Sequence, residues 1–260
     1  MLTKMFVFEW RYFTRQPSFY VCALIFFSIA VLATSLQKIV TGFGSNIHIN
    51  GPFYISQVMA TVGMFALFLV VNFIANTALR DHSSNMAEIL YCKPIKPLDY
   101  QLGRFLGSFA VIVCIFSMVP LGLIFGSSMP WIAEERLGAT NLSYYLSTFI
   151  YLSVPTLFVF SCLFYAVAIR LKSMMSVYLS VIAVFVFYSA SNSMFLSHRT
   201  LAALLDPFSM QTLAEITRYW TVFEKNNEIL NFEGALLQNK VIWGAIAIFV
   251  MSSFGRLFTS

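Results

Sequence analysis

The sequence predicts an all-α membrane protein with six transmembrane helices, on two observations. The first is composition: of 260 residues, 59% are hydrophobic and 10% charged, whereas a soluble domain carries roughly 45–50% and 25%. Sixteen basic and eleven acidic residues are too few to cover a chain of this size in water. The second is the spacing of those charges. A helix crosses a bilayer with about 20 mostly apolar residues, because each adds about 1.5 Å against roughly 30 Å of hydrocarbon. Five intervals between charged residues meet that length, and a sixth does once a lysine near its end is allowed.

Arg15 and Lys38 frame the first interval, and Phe53 to Leu79 contains no charged residue. Arg104 and Glu134 frame the third, Arg136 and Arg170 the fourth, Lys172 and Arg199 the fifth. The sixth, Leu236 to Phe258, is interrupted by Lys240, which is expected to snorkel to the headgroups as Arg256 does. The spans are therefore placed at 17–40, 53–79, 103–128, 144–170, 173–196 and 237–258, within a single domain over 1–260. Residues 1–16 precede them, 80–102 form a cytoplasmic loop and 197–236 an outward segment.

Orientation follows from Lys and Arg. With the amino terminus inside, Lys4, Arg11, Arg15, Arg80, Lys93, Lys96, Arg104, Arg170, Lys172 and Arg256 fall on the cytoplasmic side. The outer Lys38, Arg136, Arg199, Arg218, Lys225 and Lys240 are matched by Glu134, Glu135, Asp206, Glu215, Glu224, Glu228 and Glu233. Both termini are expected in the cytoplasm of a bacterial inner membrane. Basic residues spread along loop ends make no nucleic-acid patch. Lys4, Glu9, Arg11 and Arg15 interrupt any signal peptide, and Cys22, Cys92, Cys114 and Cys162 imply no disulfide framework.

Three segments outside the spans are informative. In a helix over 1–16, Lys4, Arg11 and Arg15 fall within about 40° of one another and Leu2, Phe6, Trp10 and Phe13 lie opposite. Such a helix is expected in the interface, basic stripe toward headgroups and aromatic stripe toward acyl chains, until Pro17 turns the chain inward. In the loop Arg80 to Arg104, Ser83, Ser84 and Asn85 offer N-caps, Glu88 completes a capping box with Asn85, and Pro94 ends a short helix. Met86, Ile89 and Leu90 share one face of it, and two turns are too few to stand alone; the protein's own inner surface or a partner must cover them. In the outward segment, Leu213, Ile216 and Trp220 follow Asp206-Pro207 at helical spacing, which predicts short helices dipping into the outer leaflet or capping the bundle.

Catalytic chemistry is not legible. His48, His82 and His198 stand in separate loops without ligand-spaced partners, and no HExxH, GxSxG or GxxxxGK[ST] occurs. Any energy from ATP must come through another chain. The first five spans carry no ionisable residue in their interiors, which disfavours an ion-driven transporter, although Asn72, Asn76 and Asn192 offer polar contacts. Pro120 and Pro155 are expected to kink or break spans three and four, and Gly103 with Gly107, like Gly122 with Gly126, has the GxxxG spacing of close helix packing.

The order of these parts resembles the permease subunits of ABC-2 type exporters. Glu9-Trp10-Arg11 with Arg15-Gln16-Pro17-Ser18-Phe19 looks like their opening elbow helix. Arg80-Asp81, Glu88-Ile89-Leu90-Tyr91 and Lys93-Pro94-Ile95 look like their loop before span three, continued by Tyr100 and Gly103-Arg104-Phe105-Leu106-Gly107. Asp206-Pro207-Phe208, Tyr219-Trp220-Thr221, Glu224, Asn227 and Asn239-Lys240 are similar to a branch joined to a second permease unit and an M1-type aminopeptidase domain. This chain has no zinc-protease motif, so peptidase activity is not implied.

The resemblance implies an export permease, not itself an enzyme and without a cofactor of its own, that pairs with a second permease half, a copy or a paralogue. Two cytoplasmic ATPase subunits, which hold ATP and Mg, would drive it. It implies ATPase contact through Asn85, Met86, Glu88, Ile89, Leu90, Tyr91 and Lys93, and an elbow helix carrying Lys4, Phe6, Trp10, Arg11, Phe13 and Arg15. It leaves the substrate pathway unassigned. The alternatives are a polytopic membrane enzyme acting on lipid, with Glu134 and Glu135 near the interface, or a membrane anchor recruiting a cytoplasmic complex.

Overall fold

The structure, a computed structural model, describes residues 1–36, 46–83, 97–195 and 198–255. Helix α1 (Leu2–Thr14) precedes α2 (Pro17–Ser35). Helix α3 runs from Pro52 to Val70, passes through a π turn at Val71–Ala75 and continues as Asn76–Ser83. Helix α4 has two pieces, Pro97–Phe116 and Met118–Ser127. Helix α5 comprises Leu142–Thr148, a π turn at Phe149–Ser153, and Val154–Leu171. Then come α6 (Met174–Met194), α7 (Arg199–Leu205), α8 (Met210–Ile216), α9 (Val222–Asn227) and α10 (Gly234–Gly255).

Six helical stretches are long and apolar enough to cross a membrane: Pro17–Ser35, Pro52–Arg80, Leu98–Ser127, Leu142–Leu171, Met174–Met194 and Gly234–Ser252. No strand occurs among the described residues. The chain is an all-α membrane protein, as its composition predicts. The third span begins at Leu98, five residues before the 103 read in the sequence, so Arg104 lies inside the helix and is 3% exposed. The first helix ends at Ser35, and residues 37–45 lie outside the described residues.

Both span prolines coincide with irregular backbone. Pro120 has no N–H to give to the carbonyl of Phe116, and its ring crowds that carbonyl; α4 breaks just there, at Ser117. The Ser117 hydroxyl donates to the Cys114 carbonyl at 2.6 Å. Pro155 follows directly on the π turn of α5, an insertion that shifts the hydrogen-bond ladder where the proline cannot contribute to it.

The two glycine pairs let α4 carry a different helix at each end. A Cβ on Gly103 would lie 2.8 Å from both the Leu2 carbonyl oxygen and Met5 Cβ, and one on Gly107 would lie 2.7 Å from Glu9 Cβ. Beyond Ser117, a Cβ on Gly122 would lie 2.7 Å from the Phe27 carbonyl oxygen, and one on Gly126 would collide with Thr34. The first pair seats α1 and the second seats α2, as GxxxG spacing permits. We therefore expect Gly107→Ala to cost about 1–3 kcal/mol by overpacking. At Gly63 a Cβ meets nothing within 4 Å, so Gly63→Ala is expected to be neutral or to stabilise by about 0.4–1 kcal/mol. Unfolding of both variants in one detergent checks the contrast.

Helices α3 and α5 are the most enclosed, whereas α2, α6 and α10 leave most of their surfaces open. On α6 only Val177, Val181 and Ser191 are buried. The side of the bundle that holds α1 and the α5–α6 turn is called the near side below. On the far side, Asn50 joins two connections: its Nδ2 donates to the Gly138 carbonyl at 2.6 Å and its Oδ1 accepts from the Gly138 N–H at 2.8 Å. Asn226 of α9 joins the same cover, with Oδ1 accepting from the His48 N–H at 2.9 Å. Helix α9 is opened by a capping box between Thr221 and Glu224, two donors satisfied reciprocally. The Thr221 backbone N–H and hydroxyl hold the Glu224 carboxyl below the usual glutamate range.

Candidate functional site: two buried polar centres

The first centre is on the near side. Glu9 is fully buried in α1, and its Oε1 accepts from Arg104 Nε of α4 at 3.0 Å and from Arg80 Nη2 of α3. Arg104 also donates through Nη2 to the Thr77 carbonyl of α3 and through Nη1 to the Tyr100 hydroxyl at 3.1 Å. Arg80 lies over the Tyr12 ring of α1, 4.2 Å from its centroid, a cation–π contact. A planar guanidinium is the one cation that serves a carboxylate and a carbonyl along a fixed fork. Through it, α1 and the near-side ends of α3 and α4 become one charge-paired unit. Phe13 extends the contact, its ring 5.2 Å from Phe73 in the π turn of α3.

This arrangement corrects the sequence-based picture of the elbow helix. Lys4, Arg11 and Arg15 are exposed, as a basic stripe should be. The stripe opposite does not face outward to acyl chains: Phe13 is 1% exposed, and Phe6 and Trp10 are half-buried. The reason is Glu9. At 100° per residue it falls between Met5 on one side and Leu2, Phe13 and Phe6 on the other, so that face must meet a counter-charge, and Arg104 supplies it beside the two glycines. The residues expected to contact an ATPase, Asn85, Met86, Glu88, Ile89, Leu90, Tyr91 and Lys93, lie outside the described residues.

The second centre lies toward the far side. Helices α7 and α8 form a hairpin that enters the bundle, with Asp206-Pro207-Phe208-Ser209, all buried, at its tip. The Phe208 ring meets Phe160 of α5 at 5.1 Å, Phe185 of α6 at 6.0 Å and Tyr188 of α6 at 5.1 Å. Thr156, which the tip also reaches through Lys240, lies about 14 residues and so roughly 21 Å below the far-side start of α5. The outward segment thus contains short helices of two kinds: α7 and α8 enter the bundle, and α9 joins its far-side cover.

Lys240 departs from expectation. It does not snorkel: it is 6% exposed, and its Nζ donates to Thr156 Oγ1 and to Ser209 Oγ, each at 2.6 Å. The Thr156 hydroxyl in turn donates to the Leu152 carbonyl in the π turn of α5 at 2.7 Å. Ser209, in the left-handed region at φ 62°, donates to Asn239 Oδ1 at 3.0 Å. Asn239 Nδ2 then reaches the carbonyls of Ala203, Leu204 and Asp206 at 3.0, 3.0 and 2.8 Å, satisfying the C-terminal end of α7, which every helix leaves open. The Asp206 carboxylate closes the other side, accepting from the N–H groups of Phe208 at 2.8 Å and Gln211 at 2.6 Å. Burial pushes its carboxyl above the usual aspartate range, against the pull of those N–H groups and the Lys240 ammonium. The result is a polar chain joining α5, α10 and both arms of the hairpin.

No family model matches this chain, and no curated protein matches it. Six apolar helices make it an integral membrane protein.

Proposed function

We propose that this chain is the permease subunit of an ATP-driven exporter of the ABC-2 type. In this reading it forms the transmembrane pathway with a second permease half and couples to separate cytoplasmic ATPase subunits. The observation that carries this reading is the Glu9–Arg80–Arg104 unit. A permease that takes work from a separate motor needs an input element on the motor's side, fastened rigidly to the spans that must move. Helix α1 is fastened so, by a buried ion pair, to α3 and α4, the same two helices that the 84–96 segment connects. A push on either α1 or that segment is delivered to both spans together. The near side is then the cytoplasmic side, where Lys4, Arg11 and Arg15 face anionic headgroups. The open surfaces of α2, α6 and α10 are left for lipid and the second half.

The test is co-purification from native membranes under mild extraction, with ATPase activity assayed in the eluate. Wild type is expected to bring down a nucleotide-hydrolysing subunit, and the double variant Glu88→Ala, Leu90→Asp to lose it while keeping its yield. If wild type brings down no nucleotide-binding partner, the exporter reading is wrong.

A further inference from the structure

A cleft of about 240 Å³ opens at the far-side end of α6, lined by Asn192 and Phe195 at that end, Arg199 and Ala202 of α7, and Gln211 and Glu215 of α8. It adjoins the second polar centre, since the backbone N–H of Gln211 holds Asp206 there while its side chain lines the cleft, and it has no part in the coupling described above. Its level in the membrane is set by its neighbours. Asn192 stands in the last turn of a span, and exposed Tyr219 and Phe223 follow close after α8, aromatic side chains of the kind that mark the headgroup layer. On the flank of α6 nearest Asn192 at 100° per residue, Tyr178 and Ile182 are each more than half exposed, an open apolar strip that leads away from the cleft toward the near side.

The lining carries one cation and one anion. Arg199 has no hydrogen bond or ion pair among the described residues. Glu215 has only Arg218 at 4.0 Å, a distance at the limit of an ion pair on an exposed surface, where such pairs contribute little. Between them Gln211 Nε2 donates to Asn192 Oδ1 at a long 3.3 Å, two amides with donors and acceptors to spare. A ligand with only negative charge would meet Arg199 but also Glu215, and one with only positive charge the reverse. A ligand carrying both within one small head satisfies both, and the cleft holds about eight water-sized groups, room enough for a phosphate with an ethanolamine attached.

We propose that this cleft binds the head of a phosphatidylethanolamine-type lipid. Arg199 takes the phosphate in a charge-assisted fork, Glu215 accepts hydrogen bonds from the primary ammonium, Asn192 and Gln211 fill the remaining sites, and the acyl chains lie along α6. Choline heads lose the ammonium donors, and glycerol heads lose the positive charge.

The experiment uses the full chain purified in detergent, with binding of dioctanoyl phosphatidylethanolamine and dioctanoyl phosphatidylglycerol followed by native mass spectrometry. No ATPase partner is needed, so its outcome is separate from that of the exporter reading. Wild type is expected to prefer the ethanolamine lipid by about tenfold or more, and Arg199→Ala to weaken its binding by a similar factor. Glu215→Gln is expected to erase the preference between the two lipids without loss of phosphatidylglycerol binding, a readout that a folding defect would not produce. Equal binding of both lipids by wild type, or variants that leave the preference unchanged, would overturn the proposal. Glycerophosphoethanolamine competing as strongly as the lipid would show a soluble ligand and overturn the lipid assignment.

Discussion

Replacing Glu9 with Gln is expected to destabilise the protein by about 3–5 kcal/mol, the usual consequence of breaking a buried ion pair by removing one member. Arg104 is 3% exposed, and its Nε loses the carboxylate that it reaches at 3.0 Å. In detergent the fall should appear as a thermal midpoint lower by roughly 6–20 °C, taking about 2–4 °C per kcal/mol for a chain near this size. Arg80→Gln should cost less, because Arg80 is 20% exposed and Arg104 still neutralises Glu9. Arg104→Lys should resemble Glu9→Gln rather than wild type, since an ammonium cannot hold Glu9 and the Thr77 carbonyl along one planar fork. The informative comparison is the double variant Glu9→Leu, Arg104→Met. Removing both charges lifts the desolvation cost along with the attraction, so stability should recover while the fastening of α1 is lost. If the proposed coupling is right, that variant folds but no longer transmits; partner-stimulated ATPase activity that remains normal in it would sever this unit from coupling.

What the sequence made legible, and what it hid, divides by the type of signal. Span number and approximate limits follow from uninterrupted apolar runs, because lipid forbids charge over the same length that geometry prescribes. The prolines announced the irregular backbone of α4 and α5, and the glycine pairs announced close packing, since both act through the local chain. Neither pair named its partner. That Gly103 and Gly107 seat α1 depends on a contact about 100 residues away, and no periodicity carries it. Glu9 borders the apolar stripe, between Met5 and Leu2, a pattern at odds with a face turned to acyl chains. Its true partner was concealed because Arg104 reads, in a hydropathy profile, as the edge of a span. Lys240 was concealed for the same reason: a lysine near a helix end is ordinarily free to reach the headgroups, and only the inward hairpin, which brings Ser209 beneath it, gives the ammonium acceptors where it stands. Thr221-x-x-Glu224 was legible as a capping box by spacing alone.

At the second centre the neutral amide, not the charge, should dominate stability. Asn239→Ala removes the donor shared by the Ala203, Leu204 and Asp206 carbonyls and the acceptor of the Ser209 hydroxyl. Thr212 still donates to the Ala203 carbonyl at 2.6 Å and the Ser209 N–H to the Asp206 carbonyl at a long 3.4 Å, but the Leu204 carbonyl and the Ser209 hydroxyl lose the amide that paired them. Each buried group left without a partner costs about 1–3 kcal/mol, so a loss of roughly 3 kcal/mol is expected from this single amide. Lys240→Met should cost far less, because Thr156 can still donate to Leu152 and Ser209 to Asn239, and removing a buried ammonium also removes its desolvation cost. Its effect belongs to motion: without the ammonium, no hydrogen bond crosses from α10 through Ser209 to α5. Cysteines at Phe208 and Phe160 report this directly, since their rings now touch. A cross-link that forms readily in an otherwise wild-type chain should form slowly in Lys240→Met and hardly at all in Asn239→Ala. Equal cross-linking in all three would mean that neither the Lys240 ammonium nor the Asn239 amide seats the hairpin and that the polar chain only satisfies its own members.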